Sequence, residues 1–176
     1  ESQTKKTALG WQKSAVGNFN LTDAYYSDNW AAGGDNALSF DIKFKGSLIQ
    51  DKKQTNWKNS LKADYGQIKL GNTDFRKNLD EFFFESLFSY KLTDLLNPYT
   101  SFTVKSQFSE GHHYTDSTKT LVSGFWDPGY IAQSAGMGLK PKENLLFRLG
   151  FSVKETFSAK YGFADNKETT KIEEFK

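Results

Sequence analysis

The chain has 176 residues, and its 23 lysines and arginines against 21 aspartates and glutamates give a formal net charge of +2. This nearly neutral balance argues against a nucleic-acid partner, and the absence of cysteine excludes disulfides, thiol chemistry and cysteine-ligated metals within these residues. No apolar run approaches the roughly 18 residues of a membrane-spanning helix, yet aromatic residues make up 16% of the chain.

The predicted elements begin after a polar stretch over residues 1–14, which we expect to be a flexible N-terminal segment. Residues 15–176 are predicted to form one β-barrel domain. Its first strand is expected over residues 15–25, where apolar and polar side chains alternate. Six further strands are predicted over residues 37–50, 56–66, 79–92, 99–108, 134–140 and 145–157.

The alternation of apolar and polar side chains is clearest over residues 37–50. An amphipathic helix also fits residues 79–92, but the following segment, 99–108, fits only a strand. Because successive side chains of a strand point to opposite faces, each strand has one apolar, aromatic face and one polar face. Long strands with this alternation are typical of an antiparallel transmembrane β-barrel of the outer-membrane type, which is the all-β fold class that we predict.

The connections between the predicted strands alternate between long and short. Outer-membrane barrels have long external loops and short periplasmic turns. With a periplasmic N-terminus, all the long connections would lie outside the cell and all the short ones inside. The long connections cover residues 26–36, 67–78 and 109–134, and the short ones cover residues 51–55, 93–98 and 141–144.

Aromatic residues at the strand ends predict a girdle at each membrane interface. Trp57 and Tyr65 are eight residues apart, which is roughly 26 Å along a strand at ~3.3 Å per residue. The alternative is that aromatic residues favour strands wherever they occur. The predicted girdle residues are Trp57, Tyr90 and Tyr99 at the periplasmic rim and Tyr25, Tyr65 and Phe82 at the opposite rim.

Charged residues of the polar face are predicted to point into the barrel. They could form cross-strand ion pairs that brace a closed interior, which we favour for a small barrel. Alternatively, their excess of positive charge could favour anions in an aqueous lumen. The predicted lumen-facing charges are Asp41, Lys43, Lys45, Lys58, Lys62, Asp64, Glu85, Lys105, Arg148 and Lys154, and Glu81 and Lys91 have the same parity.

Two short motifs could carry chemistry. His112 and His113 precede Tyr114 and Asp116, but adjacent histidines on a strand point apart. The glycine-rich run over residues 31–35 lacks the strand-to-helix context of a phosphate loop. We therefore predict no catalytic residue, no metal site and no cofactor, and we expect the protein not to be an enzyme. The serines close to the histidines are Ser109, Ser117 and Ser123.

Three segments occur in the order that they have in an uncharacterised β-barrel family. Residues 29–36 read NWAAGGDN, residues 57–66 read WKNSLKADYG, and residues 127–141 contain DPGY, GMG and KP. Over about residues 10–155 the chain resembles this family of unknown function from Bacteroidetes- and Chlorobi-type bacteria. The resemblance implies an outer-membrane location and brings no activity. Members of the family continue well past the point where this sequence stops.

The number of strands bears on how the barrel closes. Single-chain bacterial barrels have an even number of strands, whereas seven are predicted and residues 158–176 show no clear returning strand. We therefore expect this sequence to be the leading part of a larger barrel, covering seven to eight of its strands. The sequence opens with ESQTKK and no apolar signal segment, which we interpret as a mature exported form.

The expected function is that of an outer-membrane barrel, either porin-like or structural, or a subunit of a larger envelope assembly. Two alternatives stay open. One is an outer-membrane lipid-modifying enzyme, and the other is a soluble lipocalin-like barrel, in which the apolar face would point inward. The expected partners are outer-membrane lipid and other envelope proteins, with no nucleic acid.

Overall fold

The computed structural model describes residues 9–27, 34–115, 118–142, 144–159 and 161, and these residues form nine β-strands. Within them, no helix is long and apolar enough to cross a membrane. The strands are β1 (Gly10–Ala24), β2 (Ala37–Asp51), β3 (Thr55–Leu70), β4 (Arg76–Tyr90), β5 (Leu96–Ser106), β6 (Gly111–Tyr114), β7 (Lys119–Ser123), β8 (Gly129–Lys142) and β9 (Leu145–Phe157).

Seven of the strands form one antiparallel sheet in the order β1-β2-β3-β4-β5-β8-β9. Strands that follow one another in the sheet are also consecutive in the chain, except that the separate β6–β7 hairpin lies between β5 and β8. The prediction of an all-β, antiparallel fold is confirmed. Among the described residues, β1 and β9 each pair with a single neighbour, so these strands form an open sheet and no closed barrel.

Several strands are longer than the sequence pattern predicts. β1 begins at Gly10, so residues 10–14 belong to the sheet, whereas residues 1–8 lie outside the described part of the chain. β3 extends to Leu70 and β4 begins at Arg76, so the connection predicted over 67–78 has only residues 71–75. It is no longer than the turn over 91–95, and the predicted alternation of long and short connections does not hold there. β8 begins at Gly129, five residues before the predicted start at 134. The stretch 109–134 was predicted to be irregular. It contains the β6–β7 hairpin and the first residues of β8, which pair with β5 and β9.

The strand register divides the side chains of the sheet between two faces, because residues that are directly opposite on paired strands share a face. Ile42 lies opposite Phe19 and Tyr65, and Phe84 lies opposite Leu61 and Val104. We call the face that carries these residues the apolar face. The other face, which carries Lys43, Asp64 and Glu85 among others, is the polar face.

The sheet forms a single layer without a hydrophobic core. Among the described residues, no hydrophobic side chain is buried, and Phe151 on β9 is 90% exposed. Soluble domains bury the apolar face of a sheet against a second layer, and contiguous exposed apolar patches of this extent mark surfaces that contact a membrane or another protein. The apolar face must therefore be covered by something outside the described residues.

Candidate functional site

The apolar face carries a band without charged side chains across all seven strands of the sheet. On β1 this band lies between Lys13 and Asp23, and it contains Ala15, Gly17, Phe19 and Leu21. On each of the other six strands, the register also leaves a charge-free stretch on this face. Those stretches lie within residues 38–50, 55–67, 82–90, 96–106, 129–141 and 145–153.

The height of the charge-free band is comparable to that of a membrane. Lys13 and Asp23 are ten residues apart, which is roughly 33 Å along a strand at ~3.3 Å per residue. With a strand tilt of about 40°, this distance projects to roughly 25 Å, the height of the apolar band of outer-membrane barrels. The height of the charge-free band thus matches the apolar band expected of a lipid-facing barrel wall.

Aromatic side chains cluster at both ends of the charge-free band. At the end with the short turns, the Trp57 ring lies 6.3 Å from that of Trp11, and its indole N–H donates a hydrogen bond to Ser86 Oγ at 2.9 Å. Tyr90 ends β4 at the same edge of the sheet, opposite Thr55. These residues lie where a girdle at a membrane interface was predicted.

At the opposite end of the band, the sheet carries the other three predicted girdle residues. Tyr65 lies on the apolar face opposite Ile42, and Tyr25 follows the end of β1. The Phe82 ring packs edge-on against the ring of Phe108, with 5.8 Å between the ring centroids. All three are near the long connections.

Tyr99 departs from the predicted girdle, because the register places it on the polar face. It lies opposite Ser89 on β4 and opposite Gly136 on β8. The guanidinium of Arg148 lies 5.6 Å from the centroid of its ring. The prediction that Tyr99 belongs to the same girdle as Tyr90 is therefore wrong, because Tyr99 has the opposite parity to Phe102 on its own strand.

The ten predicted lumen-facing charges all lie on the polar face. The register links them across the sheet, since Lys45 lies opposite Lys62, and Asp64 lies opposite both Lys43 and Glu81. The polar face also carries some apolar side chains, among them Phe83, which lies opposite Lys62. The full set comprises Asp41, Lys43, Lys45, Lys58, Lys62, Asp64, Glu85, Lys105, Arg148 and Lys154.

Ion pairs lie within β2 and within β3, and one ion pair joins β3 to β4. The ammonium of Lys62 lies 2.7 Å from Glu81 and 3.2 Å from Asp64, and Lys43 lies 3.2 Å from Asp41. The side chain of Asp64 is only 5% exposed. Of these three ion pairs, Lys62–Glu81 is the one that links neighbouring strands, as expected of charges that brace the sheet.

A polar network closes the end of the sheet that carries the long connections. The carboxylate of Asp80 accepts hydrogen bonds from the backbone N–H groups of Phe108 and Ser109 and from the Ser109 hydroxyl, at 2.7–3.0 Å. It also pairs with the ammonium of Lys77 at 2.8 Å, and Lys77 in turn donates to Gln107. This network ties the start of the 109–134 connection to β4.

The second half of the same connection is fixed by Gln107 and Asp127. The Gln107 amide donates to the backbone carbonyls of Gly124 and Asp127, and the buried Asp127 carboxylate accepts from Ser158 and from the N–H of Ala159. A cavity of about 840 Å³ opens beside this network. Its lining combines aromatic and charged residues, among them Phe75, Lys77, Glu110, His112, Tyr114 and Trp126.

The histidine motif lies at this end of the molecule, on β6. His113 is exposed, whereas His112 is partly buried, with its Nε2 4.0 Å from Glu110. The hydroxyl of Ser109 donates to Asp80 and that of Ser123 donates to Gln107, so neither serine is directed at a histidine. Ser117 and Asp116 lie outside the described residues, and the part of the chain that is described contains no cluster of three or more potential metal ligands.

The described part of the glycine-rich motif holds two connections of the sheet together through hydrogen bonds. Gly34 has a φ of +148°, and a Cβ at this position would lie 3.2 Å from the ring of Tyr26. The side chain of Asn36 accepts a hydrogen bond from the Tyr26 N–H at 2.7 Å, and its backbone carbonyl accepts one from Gly71. These contacts join the β1–β2 connection to the β3–β4 turn. Residues 28–33 lie outside the described part of the chain.

These observations define the class of the protein: an all-β protein built on one antiparallel meander, whose two faces have opposite chemistry. The chain belongs to the DUF3078 family. The family model, described as "Protein of unknown function (DUF3078)", matches residues 21–112. That range includes the motifs at 29–36 and 57–66 and ends before the one at 127–141. No curated protein and no solved structure matches the chain.

Proposed function

We propose that this chain forms part of the wall of an outer-membrane β-barrel, porin-like or structural in role, with its apolar face in lipid. The observation that carries the proposal is the charge-free band on the apolar face, which continues over all seven strands while charges lie at mid-strand positions of the other face. This distribution is typical of barrels whose outer surface contacts hydrocarbon. Membership of a bacterial outer-membrane family is part of the same proposal.

The polar face is the better candidate for the inside of the barrel. Asp64, in the middle of this face, is 4% exposed, whereas Phe102, in the middle of the apolar face, is 38% exposed. In a single-layer sheet, side chains on the concave side crowd together and lose exposure. A hollow lined only by polar-face residues of β4, β5, β8 and β9 supports the same curvature. A lipocalin-like barrel would have the opposite arrangement.

Closure of the barrel requires strands beyond β1 and β9. In lipid, each unpaired backbone N–H or C=O group would cost several kcal/mol. Because adjacent strands of the meander are antiparallel, β1 and β9 run in the same direction. Fully antiparallel closure therefore needs an odd number of additional strands, supplied by this polypeptide or by another chain. A larger envelope assembly is consistent with either source.

We propose no catalytic role for the protein. An acyl-transferring or hydrolytic enzyme needs a nucleophile within hydrogen-bond reach of its base. Ser109 and Ser123 instead donate to Asp80 and Gln107. The histidines are thus better explained as residues of a connection at the membrane surface.

Fractionation of the envelope tests the proposed location. Membranes of cells that make the full-length protein are separated by density, and the outer-membrane fraction is washed with alkaline carbonate or urea. We expect the protein to sediment with the outer membrane and to resist both washes until detergent is added. Recovery of a folded, β-rich protein from the soluble fraction without detergent would contradict the proposal and would favour the lipocalin-like alternative.

A further inference from the structure

The charges of the polar face are distributed unequally between its two halves. The half formed by β2, β3 and β4 carries both signs, and its lysines Lys43 and Lys62 are paired with carboxylates. On β5, β8 and β9, the register places no acidic residue on this face. The charged residues that this second half does carry are Lys105, Lys140, Arg148 and Lys154.

The cations of β9 contact aromatic rings instead of carboxylates. The ammonium of Lys154 lies 4.7 Å from the centroid of the Tyr130 ring, and Arg148 lies over Tyr99. Within the described residues, neither cation forms an ion pair. Rings attract cations but leave their charge uncompensated, so both cations remain available to an anion.

Among the described residues, Lys105 is the one cation of this half that forms an ion pair, and the separation is long. Its ammonium lies 3.8 Å from one oxygen of Glu81. The other oxygen of Glu81 is held by Lys62 at 2.7 Å. Because Lys62 is shared between Glu81 and Asp64, Lys105 balances part of the charge of Glu81. Its side chain is nevertheless 55% exposed and lines a hollow of the polar face.

Lys105 and Lys154 converge on one hollow of the polar face. The hollow has a volume of about 440 Å³ and is lined by Phe83, Thr103, Lys105, Tyr130, Ala132 and Lys154. Lys105 lies opposite Tyr130 on β8, and Lys154 lies opposite Ala132 on the other side of the same strand. From the strand spacing and the rise per residue, the two lysine Cα atoms are about 12 Å apart. Both side chains are long enough to reach a ligand above β8.

We propose that this hollow is a binding site for a phosphate-type oxyanion, either free or as part of a small solute. The two ammonium groups would attract its negative charge. Thr103 belongs to the same lining, where its hydroxyl donates to the backbone carbonyl of Ala132. Charge-assisted hydrogen bonds from lysine to an oxyanion are among the stronger polar contacts in proteins. Access to the site through a barrel lumen rests on the proposed function, whereas the site itself depends only on the sheet.

The test is direct binding of inorganic pyrophosphate to the full-length protein in detergent micelles at low salt, measured by calorimetry. We expect pyrophosphate to bind even with chloride as the competing anion. Lys105→Gln and Lys154→Gln should each weaken the affinity for pyrophosphate on the order of tenfold. Lys45→Gln and Lys58→Gln are matched controls. Each removes a lysine from the polar face, but from β2 or β3, in the half of that face that also carries carboxylates. The controls should change the affinity less than twofold.

Two results would overturn the proposed site. One is a wild-type protein that is folded by circular dichroism and binds pyrophosphate no better than chloride. The other is an equal loss of affinity in all four variants, since a diffuse positive field would then explain the binding. Membrane location is measured independently by fractionation, so failure of the site and failure of the proposed function can be told apart.

Discussion

The ammonium of Lys62 on β3 lies 2.7 Å from a carboxylate oxygen of Glu81 on β4, across the middle of the polar face. The same ammonium lies 3.2 Å from Asp64, which is directly opposite Glu81 in the register. Lys62 thus holds together two carboxylates that would otherwise repel each other across the strand pair. Like charges at directly opposite positions destabilise a sheet.

Replacement of Lys62 by methionine is therefore expected to lower the free energy of unfolding by about 1–3 kcal/mol, because two charge-assisted hydrogen bonds are lost. Urea unfolding in detergent micelles measures this change. Lys58→Met is the control, since Lys58 is on the same strand and face without an ion pair among the described residues. The additional change Glu81→Gln should restore part of the loss. Equal stability of the two lysine variants would show that Lys62 does not brace the sheet.

The close approach of β8 and β9 at Gly136 and Gly150 gives a second prediction. A Cβ on Gly150 would lie 2.5 Å from the carbonyl oxygen of Ala135 and 2.9 Å from the Tyr99 hydroxyl. Gly150→Ala should therefore lower the free energy of unfolding by about 1–3 kcal/mol, as overpacking usually does. Gly17→Ala is the matched control, because a Cβ there meets nothing within 4 Å. Its effect should be neutral or slightly stabilising, and a larger loss at Gly17 would contradict this account.

The Asp80 network predicts how the third long connection responds to protease. Asp80→Ala removes the acceptor for Phe108 and Ser109, and the start of the connection should then open more often. On intact cells, we expect added protease to cleave within residues 109–134 several times faster in this variant. Asp74→Ala is the control, because Asp74 is exposed in another connection. Cleavage within 51–55 or 93–98 with 109–134 protected would reverse the proposed orientation.

A charge placed in the charge-free band should be far more costly than the same charge on the opposite face. Phe84 lies between Leu61 and Val104 on the apolar face, whereas its neighbour Glu85 lies between Ser60 and Thr103 on the polar face. In lipid bilayers, Phe84→Lys is expected to cost roughly 2–4 kcal/mol of folding free energy. Glu85→Lys should cost much less. Similar losses in reversible unfolding of both variants would argue against lipid contact at Phe84.

The two faces of the sheet could be predicted because they depend on a local rule. Alternation along one strand assigns a side chain to a face without knowledge of the partner strand. The register accordingly places all ten predicted charges on one face. The same rule would have placed Tyr99 correctly, since it is three residues from Phe102 and therefore on the opposite face. Tyr99 was assigned to the girdle from its position near a strand end, without regard to its parity.

The β6–β7 hairpin and the polar network at the long connections could not be predicted in this way. β6 and β7 have only four and five residues, which is too short for a clear alternation. Asp80 and Ser109 are 29 residues apart, and their contact depends on the path of a connection rather than on any strand pattern. Such long-range contacts are visible only once the backbone is placed. The uneven pairing of the cations also depends on distances between strands.

The most direct test of lipid contact is an alternation experiment with single cysteines. These 176 residues contain no cysteine, so Phe84→Cys and Glu85→Cys each place one thiol in this part of the chain. That thiol can carry an environment-sensitive fluorophore once any cysteine elsewhere in the full-length protein has been replaced by serine. The labelled full-length protein is placed in bilayers, and quenching by lipid-attached nitroxide is compared with quenching by iodide in water. We predict strong nitroxide quenching at position 84, and stronger iodide quenching at position 85. Equal quenching by nitroxide at the two positions, or the reverse order, would contradict the assignment of the apolar face to lipid.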